Sequence, residues 1–213
     1  MPINRSLWKL GFRKEKWPNW QCPACEVGLL EPRKDSFRFV ETKTSRDGQR
    51  SEDWEPEWMA FTYSVVLDCN NRACNECVMS CGQGNGAEDV EYDTRGEPQP
   101  VPYEEFTPEY FFPHLNIFPI PQECPKLVGE EIRASFKLFF CDPPSAANHV
   151  RIAVENIMNE QGIKRFENRK GQRVTISLHK RITLYGNRNQ GIADRLMAIK
   201  WIGNAGSHPG SHN

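Results

Sequence analysis

The sequence predicts an α+β protein, with a small β module first and a bundle of helices after it. Three observations carry that prediction. Two cysteine pairs, Cys22-Pro-Ala-Cys25 and Cys69-Asn-Asn-Arg-Ala-Cys74, flank segments that alternate apolar and polar residues as half-buried strands do. Eight prolines crowd the stretch from Pro98 to Pro125. Beyond Pro125 the apolar period lengthens to the roughly 3.6 residues of an amphipathic helix. The chain thus divides into a β module over 1–96, a proline-rich strap over 97–125 and a helical domain over 126–213.

In chain order, residues 1–34 mix tryptophan with charge and hold the first cysteine pair. Phe37–Thr42 alternates as a strand. Ser45–Arg50 contains Asp47-Gly48, a turn signal. Trp58–Leu67 is dense in aromatic and β-branched residues and reads as a second strand running into Cys69. Cys77–Ser80 reads as a short return strand, ended by Gly82, Gly84 and Gly86. Prolines at the density of 97–125 exclude helix interiors and central strands, and the interleaved Tyr103, Phe106, Tyr110, Phe111, Phe112 and Phe118 argue against a free tether. An extended strap laid over both halves is expected. Helices are expected over Leu127–Phe140, from a Ser145 cap to Gly162, over Thr175–Tyr185, and from Asn189 or Gly191 onward. The second would face inward with Ala146, Val150, Ala153, Val154, Ile157 and Met158, the fourth with Ile192, Leu196, Ile199 and Ile202. Ser207–Asn213 does not read as the end of a bundle, so a further helix is expected beyond it.

With 27 Lys and Arg against 28 Asp and Glu, the chain as a whole has no pull toward nucleic acid or anionic membrane. The first residues scatter charge and no stretch approaches the roughly 20 apolar residues of a membrane span. A cytoplasmic location and no membrane partner are expected. There, eight cysteines are metal ligands or packed thiols rather than disulfides.

Two thiolate pairs on tight turns can complete a tetrahedral four-sulfur zinc site, the arrangement of a zinc ribbon. Cys22 and Cys25 form the first pair; Pro23 and Gly28 suit the turn, Gly28 by permitting a left-handed residue. For the second, Cys69, Cys74, Cys77 and Cys81 offer several pairings, and Cys69 with Cys74 is favoured because they sit where the second strand ends. Four sulfurs leave no open position for water, so the zinc is structural. Cys124 and Cys141 read as packed thiols.

The order of these features, from the CPxC knuckle through the strand pair, second cysteine pair and proline-rich crossing to Arg151-Ile-Ala-Val-Glu155 and Ile202-Gly203-Asn204-Ala-Gly-Ser-His208, resembles domain-of-unknown-function family 4145. That family is grouped with the HEPN helical domains and is often found with restriction-endonuclease subunits. The resemblance runs from about Cys22 to His208. It implies a HEPN-like bundle, a homodimer, and action on RNA in bacterial defence, as a metal-independent ribonuclease or a degenerate RNA-binding relative. HEPN ribonucleases carry an arginine, a polar residue, three more residues and a histidine, the histidine taking the 2′-hydroxyl proton and a cation steadying the phosphate. Here Asn204 and His208 match and Gly203 replaces the arginine. Lys200 or Arg151 would then supply the positive charge beside Glu155. A helix cap at Gly203-Asn204 and an ordinary ion pair between Arg151 and Glu155 are the bland readings of the same residues.

Lys164–Arg173, followed by Lys180 and Arg181, is the one local cation cluster and can grip phosphates. The ribbon sequence shows no such cluster, which argues against DNA contact there. The rival function is a non-catalytic zinc-ribbon module docking a restriction or defence subunit, favoured by the missing arginine.

Overall fold

A computed structural model of the chain describes residues 5–8 and 11–207, and divides into two units, Met1–Asn116 and Ile117–Asn213. The first unit is an antiparallel sheet. Its strands are β1 (Leu30–Pro32), β2 (Arg38–Glu41), β3 (Ala60–Cys69), β4 (Cys77–Tyr92) and β5 (Pro98–Phe112), in the order β1-β3-β4-β5, with β2 also on β3. β3 buries Phe61, Tyr63, Val65, Leu67 and Cys69 at alternate positions, as its sequence pattern requires. Ser45–Arg50, expected as a turn, instead lies mostly within the short helix α1 (Lys43–Gly48), because the Thr42 hydroxyl accepts from the Ser45 N–H and caps it.

Two expectations fail here for instructive reasons. Gly82, Gly84 and Gly86 do not end the return strand; they lie inside β4, on its inward face. A Cβ on Gly84 would sit 2.6 Å from the Phe106 ring, so Gly84 clears space for an aromatic side chain from the neighbouring strand, whereas Gly82 and Gly86 allow close approach of the Thr107 and Pro56 backbone carbonyls. Phe106 is fully buried among Phe12, Phe37, Phe39 and Tyr63, with ring centroids 5.0–5.9 Å away.

Nor is 97–125 a separate strap, since Pro98–Phe112 is the edge strand of the sheet. Pro98, Pro100, Pro102 and Pro108 pair in register with Tyr92, Val90, Glu88 and Gly82. Phe106, in the same alternation, turns its N–H and C=O away from β4 to bond Phe12 at 2.8 Å each. The prolines therefore occupy positions whose N–H would point off the sheet, where a missing donor breaks no ladder bond. They also blunt the edge against further strand pairing.

The second unit contains α2 (Lys126–Leu138), α3 (Pro143–Glu160), the hairpin β6 (Phe166–Arg169) and β7 (Gln172–Thr175), α4 (Leu178–Gly186) and α5 (Gln190–Ser207). Asp142, not Ser145, caps α3, its carboxylate accepting from the Ser145 N–H at 3.1 Å. Pro143 and Pro144 open the helix rather than separate two helices, because a first turn needs no N–H from them. The basic run folds into a hairpin, with Lys170 at φ 51° and Gly171 at φ 81° supplying a two-residue turn. α4 starts later than expected, behind a Ser177 cap.

Val154, Met158, Ile163, Ile182, Ala193 and Leu196 form the core of this unit. The inward face of α5 is thus rotated from expectation. Leu196 and Ile199 pack inward, but Ile192 and Ile202 are 42% and 65% exposed, and the small residues Ala193 and Gly203 are buried. Small residues allow close helix approach, and that contact outweighs the pull of two isoleucines.

Candidate metal centre and the helical motif

Each cysteine pair sits on a tight backbone turn. In the first, Gln21 bridges Leu29, the Cys22 N–H bonds the Gly28 carbonyl at 2.9 Å, and the Glu26 N–H bonds the Cys22 carbonyl at 2.9 Å. In the second, the Cys69 N–H bonds the Glu76 carbonyl and the Cys74 N–H the Asn71 carbonyl, both at 2.9 Å. Glu26 (φ 54°) and Asn75 (φ 52°) take left-handed conformations directly after the second cysteine of each pair. Asn70 fastens the turns together: its N–H donates to the Leu29 carbonyl and its side-chain oxygen accepts from the Leu29 N–H, each at 2.9 Å.

The result is a cluster of four thiols, Cys22, Cys25, Cys69 and Cys74, whose sulfurs lie within 4.8 Å of one another and can hold a metal ion. Cys22 to Cys74 is 3.8 Å and Cys25 to Cys69 is 3.7 Å. Tetrahedral metal–sulfur bonds of about 2.3 Å require sulfurs about 3.8 Å apart. Cys77 and Cys81 lie on β4 opposite Asp68 and Ser64, outside the cluster.

The surroundings suit thiolates. Backbone N–H groups of Gly28 and Val27 pull the Cys25 thiol down to about 6, the Gly28 bond measuring 3.3 Å. Burial pushes its neighbour Cys69 up to about 12. A dication between them would hold both as thiolates. Gly28 is needed for space, not for a left-handed turn: a Cβ there would come within 2.5 Å of the Cys69 sulfur. The residues that do turn left-handed, Glu26 and Asn75, escape a reading of the sequence, although an Asn directly after Cys74 is a recognisable signal.

The helical motif is less complete. His208 and the side chain of Asn204 lie outside the described residues. Arg151 forms an ion pair with Glu155 one turn along α3, and its Nε donates to Asn148 at 3.1 Å. The Lys200 ammonium lies 3.5 Å from the centre of the Trp201 ring. Gly203 packs directly on α3, where a Cβ would sit 2.7 Å from the Cβ of Arg151 and 2.9 Å from the Ala147 carbonyl oxygen. The absent arginine is therefore a packing requirement of this helix pair. Restoring it as Gly203→Arg is expected to destabilise the helical unit by about 1–3 kcal/mol or more, read as a lowered urea midpoint, rather than to create a nuclease.

Residues 133–213 match the family model described as a domain of unknown function (DUF4145). The helical region is similar to DUF4145. The resemblance does not extend over the four clustered cysteines: residues 10–111 match a different model, a domain of unknown function (DUF8608). No curated protein and no solved structure matches the chain. No helix among the described residues is long and apolar enough to cross a membrane.

Proposed function

We propose that this chain binds RNA through its DUF4145-like helical unit, which acts as a HEPN-like module in bacterial defence, and that a structural zinc ion fastens the β unit. The observation carrying the RNA reading is charge segregation. Residues 1–116 hold 13 Lys and Arg against 20 Asp and Glu, whereas residues 117–213 hold 14 against 8. Near-neutrality of the whole chain thus hides a cationic half. Within it Lys164, Arg165, Arg169, Lys170, Arg173 and Lys180 are all exposed on or beside the β6–β7 hairpin. Arg173 also lies 3.9 Å from the centre of the Phe166 ring, so cations and an aromatic surface adjoin, as single-strand binding uses them.

Binding is favoured over cleavage, because Arg151 is engaged by Glu155 and Gly203 leaves no room for the motif arginine. Trp201 and Ile202, 57% and 65% exposed, give the helical unit an apolar face for a second copy, in keeping with a homodimer. Zinc is favoured at the thiol cluster because four sulfurs at tetrahedral spacing suit it and leave no catalytic position.

The test is fluorescence anisotropy with single-stranded RNA over a salt series. Arg169→Ala, Lys170→Ala and Arg173→Ala together should weaken binding at least tenfold. Removing one phosphate partner should reduce the slope of log affinity on log salt by about 0.7. Unchanged affinity in that variant removes the hairpin from the interface. Cleavage that resists chelator and vanishes in His208→Ala would restore the ribonuclease reading.

A second reading, docking of a restriction or defence subunit, is favoured by one observation. The outward face of the sheet exposes Met79 and Phe112, paired across β4 and β5, and Tyr110 opposite Cys81, with exposures of 58%, 79% and 55% for Met79, Phe112 and Tyr110. Stable recovery of one protein partner, lost in Phe112→Ser with no RNA bound, would select it.

A further inference from the structure

The β unit carries a second feature that its sequence hides. Lys14 and Trp17, from the segment ahead of the first cysteine pair, meet Pro32–Arg38, the connection from β1 to β2, around a cleft of about 350 Å³. Its lining gathers Lys14, Arg33, Lys34 and Arg38 against a single carboxylate, Asp35. This concentration stands out in a unit whose overall charge is negative. The cations come from two stretches of the chain about 20 residues apart, so no run of basic residues announces them.

The cations are unequal. Arg33 is held by Asp68 through two bonds of 2.9 and 2.7 Å, and Lys14 reaches Glu104 at 3.2 Å. Those pairs fix the walls. Lys34 and Arg38 are exposed and have no carboxylate within ion-pair distance among the described residues, so they carry the free positive charge. The Arg38 guanidinium donates to the neighbouring Phe37 carbonyl at 3.0 Å. Trp17 is half-buried and held in place, its ring 4.7 Å from Phe12 and 5.4 Å edge-on from Phe37. A rigid aromatic side chain costs little entropy when a ligand stacks on it.

We propose that this cleft binds a nucleoside phosphate, its base against Trp17 and its phosphate on Lys34 and Arg38. Both components of the ligand are needed to use the site. A bare anion would leave the aromatic wall idle, and an apolar ligand would leave two cations unmatched. The volume falls near the lower end of small-ligand pockets, about 300–1,000 Å³, and suits one nucleotide rather than a duplex. Asp35 supplies an acceptor for a base amino group. The ligand is either a free nucleotide or one residue of a single strand, and the chemistry of recognition is the same for both. The proposal stands independently of RNA binding by the helical unit.

The test uses the full chain carrying Arg169→Ala, Lys170→Ala and Arg173→Ala, so that the hairpin makes no contribution. Calorimetric titration with adenosine 5′-monophosphate, inorganic phosphate, a six-nucleotide oligoadenylate and a phosphoserine peptide gives four arms. The expected result is that the nucleotide or the oligonucleotide binds at least tenfold more tightly than phosphate or the peptide. Preference between the first two identifies the source. Lys34→Gln with Arg38→Gln should lose at least tenfold toward both. Trp17→Leu should weaken the nucleotide about tenfold while leaving phosphate unchanged. Because Trp17 also packs on Phe12 and Phe37, the exposed Lys34 and Arg38 variants decide the matter if Trp17→Leu does not fold. Equal binding of nucleotide and phosphate, tighter binding of the phosphopeptide, or nucleotide affinity indifferent to Lys34→Gln with Arg38→Gln would overturn the proposal.

Discussion

Cys69→Ser, or exhaustive chelation at neutral pH, should unfold the N-terminal unit and leave the helical unit standing. The thiol cluster joins residues 22–25 to residues 69–74, which are otherwise linked by the paired backbone and side-chain bonds of Asn70 and Leu29, the Asn70 side-chain bond to Glu31, the short β1–β3 pairing and weak donation from Asn71. Structural zinc contributes apparent free energies of about 10–16 kcal/mol in zinc-finger peptides, comparable with the about 5–15 kcal/mol that holds a whole domain. Losing one sulfur from a buried position removes most of that and leaves three of the four donors a closed tetrahedral site needs. Thermal unfolding followed by circular dichroism and by tryptophan fluorescence separates the units, because Trp17 and Trp20 report on the β unit and Trp201 on the helical one. Metal analysis of the purified protein should find one zinc per chain, and none in Cys69→Ser. Cys81→Ser, on the outer face of β4, should keep both the metal and the melting curve. Metal retention should fall as the pH is lowered, since each bound sulfur must give up a proton that acid restores. A wild-type chain that holds no metal, or whose β unit melts unchanged after chelation, would remove zinc from the account.

Phe106→Ala should cost the β unit about 3–5 kcal/mol, the usual range for an aromatic side chain removed from a closed core. Phe106 has no exposed surface and touches four other aromatic rings. Gly84→Ala should cost about 1–3 kcal/mol by the opposite route, forcing a methyl group toward a ring 2.6 Å away. The two positions are cross-strand partners. The informative measurement is therefore the double variant. With the ring gone, the methyl group introduced by Gly84→Ala enters space that Phe106 vacated. The double variant should then be more stable than the summed losses imply, by about 1 kcal/mol or more. Urea midpoints of the four proteins close the cycle. Strict additivity would mean that Gly84 is needed for its backbone and not for the ring.

The thiol cluster was legible because two short spacings encode it, and the favoured second pair, Cys69 with Cys74, is the one whose sulfurs join Cys22 and Cys25. The helices past Pro125 were legible from their period, and the core of α3 from Ala153, Val154 and Met158. The hairpin at 166–175 was not, because Lys170-Gly171 is a weaker turn signal than Asn-Gly and the run reads first as charge. Gly203 read as a defect in a motif, yet it is a contact with Arg151 that no local pattern announces.

What the chain alone determined was its inventory: a β module followed by helices, four thiols at ligand spacing, and an amphipathic second half. These follow from neighbours within a few residues, where spacing fixes geometry. Only the tertiary structure decided that prolines form a sheet edge, that Gly84 makes room for a phenylalanine about 20 residues away, and that Lys14, Lys34 and Arg38 share a cleft with Trp17. Each of those depends on which strand lies beside which, and an edge position or an emptied inward face has no signature in the local order of residues.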